Sequence, residues 1–289
     1  LEIVTGHAPV ALRVVDVATG AAVADGLDIN ITPRFGGRPQ QAIVNTSGIW
    51  SAHGVSGLHG YEFGSADDIA ARRAARRPFR VTINDPGGNF LAVAFDADLP
   101  SDGFFVEVAA PSSPPLTSLA EWPLPPGVAG VPLFSAPSRA VPGSLAVLRA
   151  ELREAGTERP AAAALLAASV DGTNRGLGLA DQLGRVLVLF PYPEPAGRAM
   201  SSPPAATVFR WSVELTAFYI PRAAGTAAAD VPDLAAVLAQ LAAPPQRLLA
   251  SVGSPTVALG PLLLDDRGPL VVRSGLAPPL SPYLYLDAA

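Results

Sequence analysis

With 289 residues, 49% of them apolar and 16% charged, the chain can fill the cores of two ordinary domains and is not a disordered polymer. Its 31 Pro and 27 Gly exclude a mainly helical protein: Pro removes a backbone donor and Gly costs ordering entropy, so both belong in turns and at sheet edges. A net charge of −5 argues against general nucleic-acid binding, and the lack of Cys removes disulfides, thiolate nucleophiles and Cys-held metals.

The first expected module covers residues 1–110. Leu12 and Val14, then Leu27, Ile29 and Ile31, alternate as strands with one buried face do, and Ala18-Thr-Gly20 supplies a turn between them. Residues 79–83 and 90–95 flank Asn84-Asp-Pro-Gly-Gly-Asn89, a hairpin signal, and a helix is expected from Ser65 to Arg77. Residues 111–143 are rich in Pro and Ser and read as a linker, docked rather than free because it carries Trp122, Leu133 and Phe134. A second module is expected over 144–222. In it, residues 146–152 open a strand, Glu154-Ala-Gly-Thr-Glu158 turns it, and residues 164–170 return, although their Ala content also suits a helix. Further strands are expected at 184–191 and 208–220. Residues 223–289 form an expected extension: a helix at 234–243 ended by Pro244-Pro245, then a hairpin of 256–264 and 270–273 around Asp265-Asp-Arg-Gly268. The expected fold is therefore all-β, with two sandwiches, a Pro-rich linker and a short C-terminal α/β extension.

The stretch from Arg149 to Pro160, with Gly178-Leu-Ala-Asp-Gln-Leu-Gly-Arg-Val-Leu-Val188, resembles the carboxypeptidase regulatory-like, transthyretin-like sandwich. A strand, a short Thr-Gly turn and a later Asp-x-x-Gly turn before an apolar strand mark that family. Asp16-Val-Ala-Thr-Gly20 and Asn45-Thr-Ser-Gly-Ile49 carry the same likeness into the first module. The resemblance implies an accessory scaffold and no chemistry. Residues 79–85, 95–100, 133–139 and 189–193 are also similar to chains of phage-tail-like contractile injection particles, which implies a structural component. Leu1 is not Met, so a preceding leader is open, and no apolar stretch of about 18 residues suggests a membrane span. The particle reading implies cytoplasmic synthesis and then release within an extracellular particle.

Candidate chemistry is sparse. His59-Gly-Tyr-Glu62 has the spacing of a zinc pair, but the other two imidazoles, His7 and His53, lie upstream, and a distant downstream His is what a zinc carboxypeptidase requires. Asp96 and Asp98 share a strand face near Asp85 and Asp102, a grouping of hard oxygens that suits Ca²⁺ but lacks the EF-hand spacing. Gly54-Val-Ser-Gly57 stops short of a nucleophile elbow because Leu58 follows, and Arg175-Gly-Leu-Gly-Leu-Ala-Asp181 fits a turn better than a dinucleotide loop. Arg72, Arg73, Arg76 and Arg77 stack in pairs at helical spacing and suit an acidic partner surface. The expectation is a non-enzymatic structural or adaptor subunit without cofactor. Its contacts with protein subunits, further copies of itself included, run through Arg72, Arg73, Arg76, Arg77, Trp122, Leu133 and Phe134. The alternative is a carbohydrate- or peptide-binding module using Trp50, Tyr61 and Trp122 as an exposed platform.

Overall fold

Alternation of buried and half-exposed positions organises the first half of the chain. In the computed structural model, Ile29 and Ile31 on one strand and Phe79, Val81 and Ile83 on its neighbour turn inward, each at most 1% exposed. The structure describes residues 8–64, 67, 71, 76–100, 130–194, 209–223, 225, 227–252, 256–266, 268–275 and 281–287. Among the described residues, strands account for 46% and helices for 7%, so the protein is all-β.

The first unit is built from β1 (Val10–Leu12), β2 (Val14–Asp16), β3 (Asp28–Pro33), β4 (Gln40–Gln41), β5 (Ile43–Val44), β6 (Trp50–Ala52), β7 (Arg77–Asn84), β8 (Val93–Leu99) and β9 (Val131–Leu133). A four-stranded sheet, β4-β3-β7-β8, packs its inner face on a second layer in which β1-β6-β5 and the parallel pair β2-β9 lie. One helix of this unit is described in full, α1 (His59–Glu62); of the helix expected from Ser65 to Arg77, Asp67 and Ala71 are helical, Arg77 begins β7, and residues 65–66, 68–70 and 72–75 lie outside the described residues. The expected β7–β8 hairpin is present, with Ile83 opposite Val93. The Asp85 carboxylate organises its loop by accepting the backbone N–H groups of Gly87, Asn89 and Phe90 at 2.7, 2.6 and 2.9 Å.

The second unit repeats this plan. Its strands are β10 (Leu145–Glu154), β11 (Leu165–Val170), β12 (Thr173–Leu179), β13 (Arg185–Pro191), β14 (Arg210–Phe218), β15 (Arg247–Ser251), β16 (Val257–Ala258), β17 (Leu262–Asp265), β18 (Leu270–Val272) and β19 (Leu284–Asp287). The sheet β12-β11-β14-β17 matches β4-β3-β7-β8, and β13 lies antiparallel to β10 as β6 does to β1. Asp171 and Gly172, both at positive φ, join β11 to β12, which settles residues 165–170 as a strand rather than a helix. Between β14 and β15 the second unit carries α2 (Leu234–Ala239), capped by the Asp233 side chain on the Ala236 N–H and continued by a 3₁₀ turn to Ala242.

The two sequence stretches that look alike share the backbone and threonine bonds of their turns. The Asp16 N–H donates to the Ala21 carbonyl and the Gly20 N–H to the Asp16 carbonyl; Glu154 does the same with Arg159 and receives the Glu158 N–H. Thr19 and Thr157 each donate a hydroxyl to the buried carboxylate three residues earlier, at 2.8 and 2.6 Å. The fifth residue of each turn needs positive φ: Gly20 at 68° and, at greater conformational cost, Glu158 at 59°. The second pair of motifs agrees as closely. Asn45 accepts the N–H groups of Ser47 and Ile49, and Asp181 those of Leu183 and Arg185, all at 2.9–3.0 Å.

The repeat also shows where each unit ends. In the first, β9 returns beside β2 in parallel, with Leu133 opposite Asp16 and its carbonyl bonded to the Val17 N–H. In the second, β19 returns beside β10, with Leu286 opposite Glu154 and bonded to the Ala155 N–H. The closing strand of the first unit thus lies in the stretch read as a linker, and that of the second in the stretch read as an extension. The expected hairpin around Asp265-Asp-Arg-Gly268 is corrected: β17 pairs with β14 and β18 with β10, so this turn carries the chain from one sheet to the other. The segment Arg175–Leu179 is likewise strand, not turn. A Cβ at Gly176 or Gly178 would lie within 2.8 or 2.7 Å of atoms of β13, so these glycines let the two strands approach closely.

Candidate functional site

The junction of the two units forms a candidate site. Along β11, Leu166, Ala168 and Val170 point into the sandwich of the second unit. Leu165 and Ala167, on the opposite face, join Leu234, Val237 and Leu238 of α2 in one apolar cluster with the core of the first unit. The start of α2 docks on the free edge of β8: the Ala94 N–H donates to the Pro232 carbonyl at 3.0 Å, and Arg80 pairs with Asp233. A smaller contact of Ala18 with Leu145, Leu187 and Leu189 fastens the units elsewhere.

Beside α2 this packing leaves a cleft of about 800 Å³. Leu91 and Ala92 of the β7–β8 loop form one wall, Leu183 in the turn before β13 and Ile220 after β14 another. Leu183 and Ile220 are 54% and 53% exposed, so the cleft presents apolar surface to solvent. Its polar groups are largely engaged within the chain. Gln240 donates to the Ala163 carbonyl at 2.8 Å and accepts the Ile220 N–H at 3.0 Å; Gln182 donates to the Asp230 carbonyl at 3.0 Å; Arg185 pairs with Asp181 at 2.7 Å. The described lining contains no Ser, Thr or His. The arrangement is that of a receptor for apolar side chains framed by a polar rim.

Behind the cleft wall, the Tyr219 hydroxyl donates to Glu154 at 2.7 Å, and Arg159 and Thr157 bond the same carboxylate. Burial pushes the Glu154 carboxyl up, but the hydrogen bonds from Thr157, Tyr219 and Arg159, with the Arg159 charge, outweigh it and hold the group below the usual carboxylate range. Burial first, then the bond to Glu154, raises the Tyr219 phenol.

The residues singled out from sequence are mostly placed elsewhere. Leu133 and Phe134 are fully buried in the first unit's core, which corrects their reading as partner contacts: what looked like an apolar linker is a strand. Arg77 lies in β7 with its guanidinium 5.3 Å from the Phe35 ring, so it does not stack with Arg73 on a helix. Arg76 is exposed; Arg72, Arg73 and Trp122 lie outside the described residues. Trp50 and Tyr61, each 4% exposed, are core residues and present no platform, and the Trp50 indole donates to the Val23 carbonyl. Glu62 bonds His53 and the Gly54 N–H, both at 2.7 Å, so its carboxylate is engaged there and the geometry does not challenge the rejection of a His59–Glu62 zinc pair. Asp96 pairs with Arg34 at 2.6 Å, Asp85 serves its own loop, Asp98 is exposed on β8 and Asp102 lies outside the described residues. Among the described residues no three His, Asp or Glu side chains gather as metal ligands, and no helix is long and apolar enough to cross a membrane.

Sequence reading missed Leu183, Ile220, Asp233 and Gln240. Leu183 did carry a signal, as a large apolar residue at the tip of the Asp181–Gly184 turn, where polar residues are usual. No family model, curated protein or solved structure matches this chain.

Proposed function

We propose that the chain is a non-enzymatic structural or adaptor subunit of a multi-subunit particle, and that the cleft between its units receives a segment of a neighbouring protein subunit. The observation that carries this reading is the pairing of exposed Leu183 and Ile220 on a cleft whose polar lining is already bonded within the chain. Such a surface gains from covering apolar area and offers little for polarising a substrate. Sheet ends add further contact surface, since Ile43 on β5 and Leu263 on β17 are 65% and 64% exposed on terminal strands. The likeness of four short stretches to phage-tail-like contractile particles supports that kind of assembly. The glycan- or peptide-platform reading has less support, because two of its three aromatics are core residues.

Native mass measurement and negative-stain imaging of material from its own source test the proposal. Co-migration with a large repetitive particle, lost in a Leu183→Ser/Ile220→Ser double variant that keeps its melting temperature, is the expected result. A clean monomer overturns it.

A further inference from the structure

A second groove, of about 380 Å³, lies on the outer face of the sheet of β13, β10 and β18, with Arg185 standing between it and the cleft. Strand register fixes what this face presents. On β10, Arg149 stands opposite Leu187 of β13 and Val271 of β18, and Glu151 stands opposite Arg185. Arg273 follows β18 two residues after Val271 and lines the groove with Arg149 and Arg185.

The carboxylates nearby are already engaged: Glu151 with Arg153 at 3.0 Å and Asp181 with Arg185 at 2.7 Å. Arg149 gives one N–H to the Pro137 carbonyl at 2.6 Å and has no carboxylate partner among the described residues. Arg273 is exposed and shows no partner among the described residues. A chain with net charge −5 therefore concentrates surplus positive charge, in planar guanidinium groups, within one groove.

We propose that this groove docks an extended acidic peptide segment of a partner protein, with Arg149 and Arg273 each taking one carboxylate. Neighbouring strands lie about 4.8 Å apart and alternate residues along one strand about 6.7 Å apart. The two arginines, set diagonally across β10 and β18, stand about 8 Å apart at the backbone, and their long side chains can close the difference to two acidic residues about 6.7 Å apart on an extended chain. Val271 and Pro282 beside them offer apolar wall to that segment's own backbone and stem atoms. A single small anion would use only one of the two forks. Arg149 and Arg273 line this groove and not the cleft, so the proposal does not rest on the reading built on the cleft.

Fluorescence anisotropy with the intact protein tests it, using a labelled peptide that carries Glu-Val-Glu, its Gln-Val-Gln counterpart and inorganic phosphate as competitor. The acidic peptide is expected to bind at least roughly tenfold more tightly than the amide form, and to weaken as salt rises. Arg273→Glu should remove that preference with no change in melting temperature, since Arg273 has no described bond to lose. Arg273→Lys should restore part of it, through charge without the bidentate fork. Equal affinity for both peptides, an unaffected Arg273→Glu variant, or phosphate binding as tightly as the acidic peptide would each overturn the assignment.

Discussion

In the first unit the buried carboxylate of the opening turn, Asp16, is gripped by Arg139 from beyond the closing strand, at 3.0 and 2.8 Å. In the second its counterpart Glu154 is held by Arg159 within the same turn and by Tyr219 from across the sandwich. Arg139 also lies 4.7 Å from the Phe90 ring and bonds Ser135, so it ties the turn, the β7–β8 loop and the segment after β9 together. The same local turn thus serves two purposes. In one unit it is a clasp that requires the chain to have returned; in the other it is nearly self-contained and braces one sheet against the other.

Removing the clasp should produce the largest effect. Asp16 and Arg139 are only 5% and 12% exposed at their side chains, so Asp16→Ala strands a desolvated guanidinium and should cost about 3–5 kcal/mol. Glu154→Ala should cost less, because Arg159 is 39% exposed and can turn to water. Urea midpoints at unchanged slope measure both, and equal losses would break the comparison. Phe134→Ala, which empties a fully buried position beside the closing strand, should cost about 3–5 kcal/mol. An unchanged midpoint there would return Phe134 to the surface role that its sequence context suggested.

The matched glycines sharpen the comparison further. Gly48 and Gly184 occupy the same turn position, at φ of 73° and 81°. At Gly48 an added Cβ would meet the Ala24 methyl at 3.3 Å, and Gly48→Ala should cost about 1–2 kcal/mol from the left-handed backbone. At Gly184 the same atom would overlap the Leu152 carbonyl, whose residue also donates its N–H to Gly184, so Gly184→Ala should cost more than its counterpart. Reversal of that order would show that the second unit's turn packs less tightly on its opening strand than the first unit's does.

These turns were legible in sequence because their chemistry is local: a carboxylate or amide oxygen, a Thr or Gly, and a positive φ within five residues. The all-β class and the β7–β8 hairpin were legible for the same reason. The unit ends were not, since β9 and β19 pair in parallel with strands more than a hundred residues earlier, and a short apolar run flanked by Pro reads as a docked linker. The cleft was least legible of all. It exists because α2, inserted between β14 and β15, covers one unit's outer face while its first residues cap the other's edge strand. No window of sequence contains both partners.

Tyr219→Phe is the most discriminating, because one hydroxyl couples two titrations. Its loss should cost about 1.5 kcal/mol near neutral pH, the low end for a hydrogen bond to a charged group, because Thr157 and Arg159 still bond the same carboxylate. The Glu154 carboxyl is depressed in the folded protein, so its stabilisation is present above the unfolded value of about 4.3 and is lost as pH falls through the folded one. The Tyr219 phenol is raised, so its contribution is present below about 10 and is lost as pH rises through its folded value. Tyr219→Phe should therefore flatten both the acid and the alkaline limbs of stability against pH. Glu154→Gln should flatten the acid limb more and the alkaline limb only in part, since burial alone still raises the phenol. Among the described residues no tyrosine bonds the first unit's carboxylate, and Asp16→Asn should leave the alkaline limb as it was. Alkaline limbs altered alike by Asp16→Asn and Tyr219→Phe would mean that the two turns share one electrostatic environment rather than two separate anchors.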